Sequence, residues 1–143
     1  MCAKIIEIFE VDTVVRRQLP LYLSRIKAGF PSPAEDYLDK KLDLNEYLIK
    51  HPGSTFFVKV KGDSMIGAGI NSGDILIVDR SLEPKDKRII VAVVNGDFTV
   101  KRVSKRGDKL SLVSENPKYD PIEIKDGMDF EVWGVVTNVI HSV

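Results

Sequence analysis

Residues 89–103 read Ile-Ile-Val-Ala-Val-Val-Asn-Gly-Asp-Phe-Thr-Val-Lys-Arg-Val, two β-branched runs on either side of an Asn-Gly step. Asn and Gly are the residues that adopt positive φ at low cost, which a tight two-residue hairpin turn requires. The stretch therefore predicts an antiparallel pair, 89–94 with 98–103. Working outward, further short apolar runs occur at 55–60, 75–78, 110–113, 122–124 and 130–138, punctuated by Gly, Asn and Asp. So many short strands at close intervals predict a mainly β body that is compact and curled or barrel-like.

The chain changes character before residue 52. Residues 4–9 carry Ile5, Ile6, Ile8 and Phe9 and read as a short strand with imperfect alternation. Pro20 interrupts the apolar run 19–23. Lys27-Ala28-Gly29-Phe30-Pro31-Ser32-Pro33 follows, a small-residue step and two prolines that disfavour helix and central strand. That segment is expected to be extended and accessible. Ser32 with Glu35 has the spacing of a capping box, with Pro33 at the first helical position, and Asp43 with Glu46 repeats the pattern. One or two short helices are expected between residues 32 and 50, ended by His51-Pro52-Gly53. The expected organisation is an N-terminal arm (1–28), a linker with short helices (29–52) and the β body (53–143). No internal repeat, low-complexity tract or heptad pattern is present.

Composition narrows the function classes. The chain has 143 residues, 43% hydrophobic and 29% charged, with 21 basic and 21 acidic side chains. A net charge of zero argues against a protein whose main task is gripping the DNA backbone. The single cysteine, Cys2, permits no internal disulfide, and the two histidines, His51 and His141, stand alone in sequence and form no metal-ligand cluster. They read as structural or surface residues, and no metal or cofactor is expected. No signal peptide or membrane span is evident, so a cytoplasmic protein is expected.

Two positions in the β body carry chemistry. Gly62-Asp63-Ser64-Met65 directly follows the run 55–60, placing Ser64 on a glycine-preceded turn at a strand end. Lys101 lies in the second strand of the hairpin, where Thr99, Lys101 and Val103 share one face and Phe98, Val100 and Arg102 the other. Periodicity leaves open whether Lys101 points inward or outward. By spacing alone, Ser64 reads as a turn residue and Lys101 as a solvated one.

Three segments change that reading. Val60-Lys61-Gly62-Asp63-Ser64-Met65, then Gly69-Ile70-Asn71-Ser72-Gly73-Asp74-Ile75-Leu76-Ile77-Val78-Asp79, then Gly96-Asp97-Phe98-Thr99-Val100-Lys101-Arg102 together resemble the C-terminal peptidase domain of the LexA/UmuD self-cleaving serine peptidase family. The likeness runs from about Phe57 to Trp133-Gly134-Val135-Val136. Gly29-Phe30-Pro31-Ser32-Pro33-Ala34, Asp43-Leu44-Asn45 and His51-Pro52 narrow it to the UmuD type. Only about 28 residues precede the implied cleavage point, too few for an independent DNA-binding domain, and a LexA-type repressor is not expected.

The resemblance implies a Ser-Lys dyad, with Ser64 as nucleophile and Lys101 as base. It also implies an oxyanion hole from the backbone N–H groups of Asp63 and Ser64, and cleavage of the chain's own Ala28–Gly29 bond. The chemistry is coherent: a serine hydroxyl needs a base within reach, and burial disfavours a charged lysine. Tethering raises the effective concentration of a weakly bound small-residue bond. The resemblance further implies a homodimer that serves a UmuC-type translesion polymerase in the SOS response to DNA damage, with cleavage stimulated by a RecA–single-stranded DNA filament. No sequence-specific DNA binding is expected. Gln18-Leu19-Pro20-Leu21-Tyr22 looks like the short peptide that bacterial partners insert into the sliding clamp, with Gln18, Leu19, Leu21 and Tyr22 as contacts. The same residues could instead pack against the chain's own body. The competing function is a non-proteolytic regulatory binding module acting through clamp or polymerase contacts. A signal-peptidase relative would need a membrane anchor, and none is expected here. Lys85-Asp86-Lys87-Arg88 reads as a solvated turn.

Overall fold

The computed structural model describes residues 4–10, 18–22 and 38–143. The strands are β1 (Lys4–Glu10), β2 (Gln18–Tyr22), β3 (Leu38–Asp43), β4 (Thr55–Lys61), β5 (Ile75–Asp79), β6 (Ile89–Val94), β7 (Asp97–Arg106), β8 (Lys109–Val113), β9 (Ile122–Ile124) and β10 (Phe130–Ile140), with one short helix, α1 (Leu44–Leu48). The described residues fall into two compact units, 4–10 with 51–143 and 18–22 with 38–50.

The larger unit is one antiparallel sheet in the order β1-β4-β5-β10-β6-β7-β8-β9. It is open but curled, bringing β1 against β7. The mainly β expectation holds, and each strand expected in the body is present. In the hairpin, Val93 pairs with Phe98 and Val94 with Asp97. Asn95 and Gly96 both take positive φ, 48° and 85°, the left-handed pair that matches strand twist. The segment 4–9 is indeed a strand, with a register shift between Ile5 and Glu7 that accounts for its imperfect alternation.

Two buried apolar groups fill the sheet. One gathers Phe56, Val58, Val60, Met65, Leu76 and Val100. The other gathers Ile90, Ala92, Val94, Val103, Leu112 and Val135. Trp133 on β10 packs edge-on against Phe98 and Phe56, at 4.9 and 6.2 Å between ring centroids, a geometry that suits the ring quadrupoles.

Strand β5 is anchored by a buried carboxylate at each end. Asp74 Oδ1 lies 2.6 Å from His141 Nδ1, and Asp79 Oδ2 lies 2.6 Å from His51 Nδ1. Both histidines thus have structural partners, as expected. Asp79 also accepts from Ser81 Oγ, Ser81 N and Ser54 Oγ at 2.7, 2.9 and 3.0 Å. Burial works to raise its carboxyl, but the hydrogen bonds from His51, Ser81 and Ser54 outweigh it and hold the group at about 2, below the ordinary 3.8. A depressed carboxyl stabilises the fold above its unfolded value, and that stability is lost as pH falls from about 4 towards 2. The shift corresponds to about 2 kcal/mol. Denaturant unfolding at stepped pH should show this loss in the wild type and a flatter acid limb in Asp79→Asn. Parallel acid limbs would contradict it.

In the smaller unit, β2 pairs with β3, Leu19 opposite Leu42 and Pro20 opposite Lys41. One or two short helices were expected between 32 and 50; the described part of that stretch holds one, α1, preceded by a strand that was not expected, Leu38–Asp43. Pairing with β2 overrides the weak local preference of Leu-Asp-Lys-Lys-Leu-Asp. A two-stranded ribbon leaves half its backbone groups unpaired, so Pro20 can be accommodated without losing a ladder bond. Helix α1 begins where the second capping signal places it, but Asp43 caps through the N–H of Asn45, at 2.9 Å, rather than that of Glu46. The Ser32–Glu35 signal lies outside the described residues. Among the described residues no helix is long and apolar enough to cross a membrane.

Candidate active site

Strand β4 runs out at Lys61, and Gly62 (φ 104°) turns the chain in a conformation that an L side chain rarely adopts. Ser64 follows on that turn. Next to it Met65 is buried in the apolar core, so the turn is pinned from beneath by a large side chain. A single 3-10 turn, Ile66–Ala68, then leads away, with Ile66 N donating to Asp63 O at 3.3 Å.

Lys101 sits near the middle of β7, opposite Ile90 on β6, and directly opposed residues share a face. Its neighbour Val100, on the other face, is fully buried as well, so β7 is covered on both sides at this point. The inward orientation left open by periodicity is thereby settled: Lys101 is 1% exposed and Ser64 0%. Lys101 Nζ and Ser64 Oγ are hydrogen-bonded at 3.0 Å, although 37 residues separate them in sequence.

A third element closes on the same turn. In the loop after β8, Asn116 Nδ2 donates to Asp63 O at 3.0 Å, and the Tyr119 hydroxyl donates to the Asp63 carboxylate. The Tyr119 bond holds the Asp63 carboxyl below its usual range, against a smaller upward push from burial. Gly67 N donates to Glu115 O at 2.8 Å. A Cβ on Gly67 would lie 2.6 Å from that oxygen, so the approach requires glycine. Glu115 also pairs with Arg102, the residue after Lys101. None of Asn116, Tyr119, Glu115 or Arg102 was singled out from sequence. Asn116-Pro117 signals a turn, but nothing in a linear reading says which backbone it will touch.

Gln18, Leu19, Leu21 and Tyr22 lie on β2. There Gln18 lines a cavity of about 340 Å³ with Lys41, Leu42, Asp43, Glu46, Tyr47 and Lys50, and Leu19 is exposed. Ala28 and Gly29 lie outside the described residues.

Residues 20–137 match the family model described as Peptidase S24-like. The chain belongs to that family. The span that matches the S24-like peptidases contains Ser64, Lys101 and the Ala28-Gly29 step alike. Relatives of this chain include Protein ImpA of Escherichia coli, 44% identical over 131 residues, covering 91% of this chain and 86% of the relative. Protein MucA of Escherichia coli is 42% identical over 135 residues, covering 93% and 92%. LexA repressor 1 of Geobacter sulfurreducens is 36% identical over 119 residues, 82% of this chain but 58% of the repressor. The near full-length matches to ImpA and MucA, set against the partial match to the repressor, agree with the UmuD-type likeness of the sequence.

Proposed function

We propose that this chain is a self-cleaving serine endopeptidase that cuts its own Ala28–Gly29 bond and serves as accessory subunit to an error-prone polymerase. The observation that carries the reading is the buried contact between Lys101 Nζ and Ser64 Oγ at 3.0 Å. An ammonium in so dry a position is costly, which favours the neutral amine that can act as a base. Lys101 takes the Ser64 proton as Oγ attacks the Ala28 carbonyl carbon, and the carbonyl oxygen becomes an oxyanion held by the N–H groups of Ser64 and Asp63. As the intermediate collapses, the C–N bond breaks and Lys101 returns the proton to the Gly29 amine. Water, deprotonated by Lys101, then hydrolyses the Ala28–Ser64 ester and frees the serine.

The likeness to ImpA and MucA, together with the UmuD-type motifs, supports a role in damage-induced mutagenesis. In that role the chain is a cytoplasmic homodimer that binds a UmuC-type polymerase and is triggered by a RecA–single-stranded DNA filament. Removal of the arm would also discard Gln18–Tyr22 and any clamp contact made through it, so the cut exchanges partners.

Mass spectrometry of purified protein after mild alkaline incubation tests the chemistry. The expected result is a new N-terminus at Gly29 in the wild type and none in Ser64→Ala. Cutting at another bond, or equal cutting in both proteins, would sink the assignment.

A further inference from the structure

The reaction just described needs the Ser64 N–H aimed at the carbonyl oxygen of Ala28, and a turn between a strand end and a 3-10 turn does not secure that aim by itself. The peptide joining Asp63 to Ser64 is trans, as are all the described peptides. In a trans peptide the C=O of one residue and the N–H of the next point in opposite directions within one rigid plane. Whatever fixes the Asp63 oxygen therefore fixes the direction of the Ser64 N–H. Two donors fix it, Ile66 N at 3.3 Å and Asn116 Nδ2 at 3.0 Å. The first comes from the turn itself. The second comes from a loop more than fifty residues away.

That loop is built to hold Asn116 still. Its Oδ1 accepts from Lys118 N at 3.1 Å, its carbonyl accepts from Tyr119 N at 3.1 Å, and the side chain is nearly buried. Asx-type bonding of this kind pre-sets the amide before any substrate arrives. On one side Tyr119 reaches the Asp63 carboxylate. On the other Glu115 reaches both Gly67 and Arg102. The loop thus touches the serine turn at Asp63 and Gly67 and the lysine strand at Arg102.

We infer that the 115–119 loop is a positioning element for bond cleavage, with the Asn116 amide orienting the Ser64 N–H that receives the oxyanion. The inference rests on the Ser64–Lys101 reading and adds to it residues that act through the turn and the strand carrying the dyad. Asn116 acts through the Asp63–Ser64 peptide, and Tyr119 through the Asp63 side chain. Glu115 keeps the turn and β7 in common register.

The test is the first-order rate of self-cleavage against pH in the full chain for wild type, Asn116→Ala and Tyr119→Phe, with thermal midpoints measured alongside. Loss of a whole oxyanion donor costs about 10²–10³-fold in rate, so its misorientation in Asn116→Ala should cost about 10- to 100-fold. The titration midpoint of the rate should stay where it is in the wild type, because the surroundings of Lys101 are unchanged. A merely structural loop predicts otherwise. Loosening would admit water to Lys101, moving the midpoint upward together with a fall in thermal stability, and that outcome would overturn the inference. So would an Asn116→Ala rate within twofold of wild type. Should Asn116→Ala fail to fold, Tyr119→Phe, which deletes one oxygen, carries the same decision: a lower plateau at an unmoved midpoint supports the inference, and an unchanged plateau refutes it. If the wild type fails to cut at Ala28–Gly29, or cuts independently of Ser64, the dyad reading itself falls and this inference with it.

Discussion

Replacing Lys101 with methionine is expected to end self-cleavage and, in the same molecule, to raise the thermal midpoint. The first effect follows from the 3.0 Å contact with Ser64 Oγ: the variant lacks the amine that takes its proton. Loss of a member of such a catalytic pair costs about 10⁴-fold or more. The second effect follows from burial. Lys101 ranks among the largest side chains hidden from solvent, at 1% exposed, and keeping an amine there costs about 1–3 kcal/mol relative to an apolar group of the same reach. Methionine is unbranched, similar in length and adaptable in packing. Against that gain, Ser64 loses a hydrogen-bond partner worth about 1 kcal/mol. The net expectation is a gain of about 1 kcal/mol, or a few degrees in Tm. A calorimetric scan at neutral pH and an alkaline cleavage assay read the two effects separately. A destabilised variant would show that the site is not strained by its lysine, and residual Ala28–Gly29 cutting would remove Lys101 from the mechanism. The combination of lost activity with gained stability is the signature of a group retained for chemistry at the expense of packing.

How far sequence could reach is clearest on β7. The hairpin itself was legible because Asn95-Gly96 can supply two positive φ angles between β-branched runs, and those angles are what the turn uses. The side on which Lys101 lies was not legible. Alternation reports direction only when one face of a strand is wet, and here Val100 and Lys101 are both buried. The resemblance to a known family paired Ser64 with Lys101, whereas the contact itself depends on β5, β6 and β10 intervening in the sheet order. The strand Leu38–Asp43 was not legible because its charged residues carry little strand preference, while its pairing with β2 is a tertiary fact. Asn116 and Tyr119 escaped notice for a related reason. Their contacts with Asp63 span 53 and 56 residues, and no local pattern encodes a partner at that distance.

The largest stability loss is expected from Gly134→Val on β10, at about 3 kcal/mol, the upper end of what overpacking a core usually costs. The position looks innocuous in sequence, since Trp-Gly-Val-Val within a β-branched strand would accept valine by propensity alone. The structure argues the reverse. Gly134 is buried at the register shift where β10 passes between β5 and β6. A Cβ there would sit 2.7 Å from Val78 Cγ1 and 3.0 Å from Asp79 O. The first neighbour is a stiff β-branched side chain with no exposure, and the second is backbone, so neither can move cheaply. Displacing β5 would also pull Asp79 away from Ser54, Ser81 and His51, whose hydrogen bonds hold its carboxyl low. The clash makes a specific prediction about coupling. Val78→Ala removes Cγ1 at its own cavity cost, yet in the double variant it should recover part of the Gly134→Val loss, leaving the share due to Asp79 O. A double-mutant cycle by urea unfolding measures that term directly. Strict additivity, or a Gly134→Val loss below about 0.5 kcal/mol, the level of an ordinary surface change, would mean that β10 and β5 are not in the contact described.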